Sequence, residues 1–566
     1  MKKRVLIFYS ALTVSCILSA TTFTIPSNVG STIDAEETSA RVDGYPEKYQ
    51  HFIIYGQSLS SGSQSYPPMS LEPEEGNYMI GNQIWINYGH LSTDTTTFNL
   101  LRATEAASDT KVDGMFRTYQ IRDILSMGEC PLIGAVNHIQ LKTKGTEYES
   151  KIIATSCGTG GCTIEALSKN AATFYKNDFI RTLAVAANIG HKSNIQINCP
   201  AIFWMQGESN SIISSGTTNS KDSYKALMIQ LKNDMQADIL LKYGQVKKPV
   251  FITYQMGGQY IQNFKELPIS MAQLEASNEY NDVICAGPIY PMSDRGGHLD
   301  ANGYRWYGEM LGKVYYETQI LGQEFKPLQP IAYTGTNNPK ELKIKFLVSH
   351  LPLVLDESLV AKVTNFGFEV RLNGVKATIN DVTIDGSNVI LTLANDITKQ
   401  DVIELFYAGL NQIPIGHGNL RDSDPYRSYF KYDDLDKLDG AGKFVYPRGD
   451  AAGKDRYGKL ITTLRPSPEP KDVDGKVIYN QFYPLYNFCV SFYKKIEAGQ
   501  LQYDSTNGIE QNYQDLNFKT FLSGSNLVIE TGDKTIEKVE LYNISGSLIS
   551  IVEKKNLFEM NFHCRV

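Results

Sequence analysis

His51-Phe52-Ile53-Ile54-Tyr55-Gly56-Gln57-Ser58-Leu59-Ser60 is a short apolar run that breaks at a glycine and turns onto a serine. Such a run reads as a buried strand, and Ser58 then stands on the turn at its carboxyl end. Similar runs recur at Lys151–Ser156 (KIIATS), Ala201–Met205 (AIFWM), Pro249–Tyr254 (PVFITY) and Asp282–Ala286 (DVICA). Between them Ile164–Asn188, Ser223–Tyr243 and Ile269–Tyr280 carry helical spacing; Tyr224, Leu227, Leu231 and Met235 recur every three or four residues. Alternating strands and helices predict an α/β fold with a parallel sheet covered on both faces, which binds ligands at the carboxyl ends of its strands. A long excursion from Pro67 to about Thr146 separates the first two strands and reads as a functional elaboration.

The α/β pattern spans about 44–325 of 566 residues, a length that predicts two to four domains. Past Gly322 the pattern changes. Leu342–Val348, Phe366–Leu372, Ala377–Ile384, Asn388–Leu393 and Asp401–Tyr407 are short strands punctuated by Asn373-Gly374 and Asp385-Gly386 turns, so 330–500 reads as a β-sandwich-type domain with an irregular insertion. Arg448-Gly449-Asp450 lies in that insertion, and such a tripeptide recurs by chance. Glu497–Asn512 reads as a polar linker, and strands at Leu527–Ile529, Ile536–Tyr542 and Ser547–Val552 form a small β-module over 515–566.

A hydrophobic fraction of 42% excludes a disordered chain. Lys+Arg of 54 against Asp+Glu of 61, without a basic block, argues against a nucleic-acid partner. Lys2, Lys3 and Arg4 followed by the apolar Val5–Val14 read as an export signal, residues 1–20, with cleavage expected after Ala20. Cleavage before Cys16 would instead leave a lipid anchor, although Thr13 stands where lipoprotein signals usually carry Leu. No later apolar run is long enough to span a bilayer. The expected location is therefore secreted, periplasmic or cell-surface. Cys130, Cys157, Cys162, Cys199, Cys285, Cys489 and Cys564 are too scattered for a disulfide framework. Cys157 and Cys162 lack the second ligand pair of a zinc site, so buried, mostly unpaired thiols are expected and no metal is.

Chemistry-bearing residues gather at the strand ends. Ser58 follows the first strand among the small residues Gly56, Ser60 and Gly62. Cys157-Gly158-Thr159-Gly160-Gly161-Cys162-Thr163 follows the second and exposes backbone N–H groups before a helix, as an anion-stabilising site needs. Gln206 and Glu208 close the third, in Trp204-Met205-Gln206-Gly207-Glu208-Ser209-Asn210; the amide can donate to an oxyanion, and the carboxylate can orient a histidine. Asp294-Arg295-Gly296-Gly297-His298-Leu299-Asp300 follows the last strand. His138 either packs structurally or lines the pocket. Gly416–Asp422 reads as a turn with a local ion pair, and Trp306 and Tyr307 as core.

Gly56–Ser60, Trp204–Asn210 and the Asp/His loop resemble the SGNH hydrolases (GDSL-type esterases), most closely the sialate O-acetylesterase and acetyl xylan esterase branch, carbohydrate esterase family 6-like. Gln57 before the serine and Trp-Met-Gln-Gly-Glu-Ser-Asn carry that likeness over 45–323. The resemblance implies a three-layer α/β/α flavodoxin-like domain ahead of the β-sandwich domains. It makes Ser58 the nucleophile and His298 its base, with the oxyanion held by the N–H of Ser58, that of Gly160 or Gly161, and the Gln206 amide. The family places Asp three residues before the histidine; here Arg295 stands there and Asp294 is one earlier. Either the Gly296-Gly297 pair absorbs the extra residue or Glu208 serves as the acid, and Glu208 is preferred. Independently, Lys538–Gly546 resembles the Val-x-Leu-Tyr-Asn-x-x-Gly segment of type IX secretion sorting domains of Bacteroidetes, with an altered final strand.

These readings predict a secreted serine esterase that removes O-acetyl groups from glycans of the sialic acid or xylan type. It would need no cofactor, and its C-terminus would engage secretion machinery. The alternative is a carbohydrate-binding surface protein with an inactive hydrolase fold, for which the displaced Asp294 is the main support.

Overall fold

The structure is a computed structural model, and it describes residues 47–86, 95–104, 127–212, 217–261, 265–446 and 469–503, with strands at 5–8 and between 519 and 563. Residues 9–20 with Cys16, the Arg448-Gly449-Asp450 tripeptide, 543–546 and Cys564 lie outside the described residues. The chain forms two compact units, Asn28–Asp504, and Ser505–Val566 with Met1–Ser27.

The larger unit contains an eight-stranded sheet built from β1 (Glu47–Gly56), β2 (Asn77–Ile80), β3 (Phe98–Leu100), β4 (Lys151–Ser156), β5 (Ile195–Asn198), β6 (Ala201–Met205), β7 (Val250–Gln255) and β8 (Val283–Pro288). Spatial order is β3-β2-β4-β1-β6-β7-β8, and β5 pairs with the first residues of β1. Only β2 with β3 is antiparallel. Every residue of β6, β7 and β8 is buried, as strands covered on both faces must be.

Five long helices cover the sheet: α1 (Pro131–Thr143), α2 (Arg181–Lys192), α3 (Lys221–Tyr243), α4 (Pro268–Glu279) and α5 (Ala301–Tyr315). Helix α1 packs on α5, while α2, α3 and α4 pack in sequence on one another. Right-handed crossovers put the first pair on one face and the other three on the opposite face. The main parallel strands β1, β4, β6, β7 and β8 thus lie in the order 2-1-3-4-5. In that order the chain reverses direction across the sheet between β1 and β6, and in such sheets ligands bind beside the carboxyl ends of the strands at that point.

Two differences from the sequence reading have physical causes. The helix expected over Ile164–Asn188 is broken into Ile164–Leu167, a wide turn at Tyr175–Ile180, and α2. The excursion after β1 contains β2, β3 and α1, none of which shows a clear period. Residues Pro131 to Gln140 of α1 are all buried, so no polar stripe marks it. It lies so close to α5 that a Cβ on Gly308 would fall 2.1 Å from the Pro131 carbonyl oxygen.

Within the same unit, a five-stranded sheet (Gln329–Gly335, Glu341–Leu347, Ile379–Asp385, Asn388–Leu393, Gln502–Tyr503) and a four-stranded sheet (Phe368–Leu372, Val375–Lys376, Val402–Tyr407, Phe492–Glu497) follow. Leu342, Ile344 and Leu391 of the first share one apolar core with Val370, Leu405 and Phe492 of the second. The Gln255 side chain at the end of β7 joins this β-rich part to the main sheet, donating to Ser491 O (2.8 Å) and accepting from Ser491 N–H (2.7 Å). Lys313 of α5 forms a buried ion pair with Asp424. In the smaller unit, Lys519–Ser523, Asn526–Glu530 and Glu559–His563 form one sheet, and Val5–Phe8, Ile536–Tyr542 and Leu548–Leu557 another. No helix among the described residues is long and apolar enough to cross a membrane.

Candidate active site

Ser58 opens a single helical turn, Ser58–Ser61, directly after β1. Gly56 adopts φ 150°, and a Cβ there would sit 2.0 Å from Met205 O, so only glycine lets the turn close against the end of β6. The Gln57 N–H donates to that same carbonyl (2.9 Å), and its side-chain oxygen accepts from Ser209 N–H (3.0 Å). The sequence did not point to Trp85, whose indole N–H donates to Ser61 O (2.8 Å) and ties the far end of the turn.

His298 arrives from a loop after β8. Arg295 N–H donates to His298 O (2.8 Å), and Gly296 and Gly297 take φ of 88° and 118°, which makes the tight turn possible. The Arg295 guanidinium donates to Tyr66 O (2.9 Å) and Gln64 O (3.3 Å), fastening the loop beside the serine turn. Asp300 ends the loop and caps α5 by accepting from Gly303 N–H (2.7 Å). The outcome is a 2.7 Å hydrogen bond between His298 Nε2 and Ser58 Oγ. Burial lowers the His298 pKa to about 4, so the imidazole is neutral near pH 7 and able to take a proton.

The two carboxylates offered as its partner lie elsewhere. Glu208 is buried; one of its oxygens accepts from the Tyr254 hydroxyl, and the other has no partner among the described residues. Desolvation raises its pKa to about 7. Asp294 accepts from Gly296 N–H (2.7 Å) and so stabilises its own turn; the diglycine does not bring it to the imidazole. Among the described residues, Nδ1 of His298 meets only the Tyr260 hydroxyl, at 3.4 Å. Tyr260 sits in a single turn, Gly258–Tyr260, after β7. Its sole sequence signal is its position behind another parallel strand at the same edge.

Gln206 also differs from its expected role. Its amide N–H groups go to Asn210 Oδ1 (2.7 Å) and Cys162 O (3.3 Å), and its oxygen accepts from the Tyr224 hydroxyl (2.7 Å). Both hydrogens are thus committed within a buried network that also ties Asn210 to Ile164 N–H (2.9 Å). The glycine loop does reach the serine turn: Thr159 N–H donates to Gly56 O (2.9 Å), and a Cβ on Gly158 would lie 1.9 Å from Ser60 Oγ. Gly160 follows, half-buried, whereas Gly161 is exposed with open space around it. The N–H groups of Ser58 and Gly160 find no acceptor among the described residues.

The remaining candidates are structural. His138 is buried between Glu309 (3.1 Å) and the Tyr426 hydroxyl (3.2 Å). Trp306 and Tyr307 are core. In the Gly416–Asp422 segment Arg421 pairs with the distant Asp356 (2.6 Å), not within its own turn. Cys130, Cys157, Cys162, Cys199, Cys285 and Cys489 are all buried and unpaired. His350, Asp422 and Asp424 cluster closely enough to hold a metal, but the Lys313 ammonium already serves Asp424, and Asn487 donates to Asp422.

Residues 139–317 match the family model described as "Carbohydrate esterase, sialic acid-specific acetylesterase". That span takes in Gln206, Glu208, Tyr260 and His298, and it begins after Ser58. Among solved structures, the chain is similar to a carbohydrate acetylesterase from Xanthomonas citri, with 13% identity, a TM-score of 0.41, and coverage of 66% of this chain and 77% of that one. It is similar to NanS at 12% identity and a TM-score of 0.33, covering 48% and 98%. A carbohydrate acetylesterase from Sinorhizobium meliloti aligns at 12% identity and a TM-score of 0.24, covering 47% and 97%. No curated protein matches the sequence.

A hydroxyl hydrogen-bonded to a neutral, buried imidazole can lose its proton as it attacks a carbonyl. Backbone N–H groups without an acceptor can receive the oxygen that becomes negative.

Proposed function

We propose that the chain is a serine carboxylic ester hydrolase of the SGNH type that removes O-acetyl groups from glycans. The observation that carries this reading is the 2.7 Å contact of His298 Nε2 with Ser58 Oγ at the carboxyl end of β1. Ser58 Oγ attacks the acetyl carbonyl while His298 Nε2 takes its proton. The sugar hydroxyl leaves with that proton, and water, deprotonated by the same imidazole, then releases acetate and frees Ser58. The N–H groups of Ser58 and Gly160 hold the oxyanion, and Gln206 supports the walls of the site. The family match over 139–317 favours acetyl esters of sugars, and the 2-1-3-4-5 strand order supports a flavodoxin-like three-layer reading of the domain. The basic, then apolar, N-terminal residues 2–14 favour export, with action at or outside the cell surface.

The test is acetate release from a panel of acetylated sugars, including sialic acid and xylan oligosaccharides, by the wild-type protein and by Ser58→Ala. Release by the wild type alone supports the reading. No release from any member, with the protein folded, favours the inactive carbohydrate-binding alternative.

A further inference from the structure

We propose that Tyr260 is a positioning residue for His298, and that the β-rich part of the chain holds it in place through Gly416. The inference rests on the reading of Ser58 and His298 as nucleophile and base. A base that accepts a proton at Nε2 must carry its own proton on Nδ1, so whatever faces Nδ1 selects the tautomer. Here that group is the Tyr260 hydroxyl, 3.4 Å away, with the two rings edge-to-face at 6.0 Å.

Tyr260 is fixed from two sides. Its carbonyl accepts from the Ser211 hydroxyl (3.1 Å), on the short helix behind Glu208. The turn that carries it begins at Gly258, whose N–H donates to Gly416 O (3.1 Å). The two loops meet backbone to backbone: Gly416 has φ 69°, and a Cβ there would fall 2.2 Å from Gly258 O. His417, next along, packs against Tyr290 with ring centroids 5.7 Å apart. The Gly416–Asp422 segment, expected as a turn with a local ion pair, therefore abuts the element that faces the imidazole.

Electrostatics agree with this role. Burial, Glu208 and Asp294, in that order, raise the Tyr260 pKa, so the hydroxyl stays protonated with both carboxylates near it. Its oxygen can accept a hydrogen bond from Nδ1–H. The other titratable and charged groups of this cluster are Arg295 and Asp300 on the histidine loop, Tyr254 of β7 at Glu208, Tyr304 of α5 near Tyr260, and His417 near Asp294.

The experiment compares wild type, Tyr260→Phe, Gly416→Ala and the double variant of the full chain on a small acetyl ester. Spectra of nitrogen-labelled histidine report the His298 tautomer independently of turnover, assigned by a His298→Ala variant. Tyr260→Phe should lower kcat by roughly ten- to a hundredfold with KM nearly unchanged, the range for losing a hydrogen bond to a group that becomes charged. It should also move the acid limb of kcat/KM to lower pH, because the imidazolium loses an acceptor, and it should mix the tautomers. Gly416→Ala should act in the same direction, and the double variant should fall well short of the product of the two losses. An active wild type whose Tyr260→Phe variant keeps kcat, acid limb and tautomer overturns the proposal. Multiplicative losses in the double variant overturn the part assigned to Gly416; if Gly416→Ala does not fold, Tyr260→Phe still decides the role of the tyrosine. An inactive wild type in which Tyr260→Phe still shifts the tautomer refutes the esterase reading and leaves the positioning contact standing.

Discussion

The serine turn and the histidine loop meet at one hydrogen bond, yet they are held by different kinds of contact. At the serine turn the backbone itself is wedged against a neighbouring strand: Gly56 and Gln57 both lie on the Met205 carbonyl. At the histidine loop, side chains fasten a backbone turn to its surroundings. Arg295 reaches Tyr66 O across 229 positions of sequence, Asp294 closes its own turn, and Tyr260 faces the imidazole. A backbone wedge tolerates one residue type and so leaves a mark in the sequence. Contacts between distant side chains leave none, which is why the nucleophile was easier to read than the groups around its base.

The strongest way to break this comparison is at the serine. Ser58→Ala should lower kcat by on the order of 10⁶, since a nucleophile has no substitute. Retention of more than about a thousandth of wild-type turnover would remove Ser58 from the mechanism. The carboxylates sharpen the contrast. Glu208→Gln and Asp294→Asn should each cost well under the ~10⁴ that follows loss of an acid bonded directly to the imidazole. Turnover of both variants on one acetyl ester checks this, and a ~10⁴ loss in either would place that carboxylate at Nδ1 after all.

Acid titration comes next in size. With a base pKa lowered to about 4, kcat/KM should hold down to about pH 5 and fall below it. A base at the ordinary value near 6.5 would be roughly thirtyfold weaker at pH 5, so the profile separates the two cases. The same shift implies that stability is lost as pH falls from about 6.5 towards 4, because the unfolded chain binds the proton first. The smallest effect concerns folding. Gly56→Ala should destabilise by about 1–3 kcal/mol through overpacking against Met205 O, read as a lower midpoint in urea. An unchanged midpoint would mean that the turn is not wedged.

The main sheet was legible because its strands are buried on both faces and read as unbroken apolar runs; KIIATS and AIFWM coincide with β4 and β6. Helix α1 was not, because it is buried nearly all round and packed through Gly134, Gly308 and Gly312, so it lacks the period that marks a half-exposed helix. In the site, strand-end placement put Ser58 and His298 at one sheet edge, the family resemblance paired them as nucleophile and base, and the structure brings them into contact. Gln206 lay at the expected strand end, but its amide was drawn into the network with Tyr224 and Asn210, partners that spacing does not reveal. Tyr260 stood behind a strand end as well, but nothing in its spacing marked its contact with His298.

The central claim is that Ser58 is acylated. The most direct measurement mixes the protein with a small acetyl ester, quenches in acid within the first turnovers, and maps the acetyl group by peptide mass spectrometry. The account predicts acetyl on the peptide carrying Ser58, absent from Ser58→Ala and increased when His298→Ala slows hydrolysis of the intermediate more than its formation. Acetate release by the wild type with acetyl carried on another residue, or with no acetyl-enzyme under conditions where deacylation is slow, would contradict it.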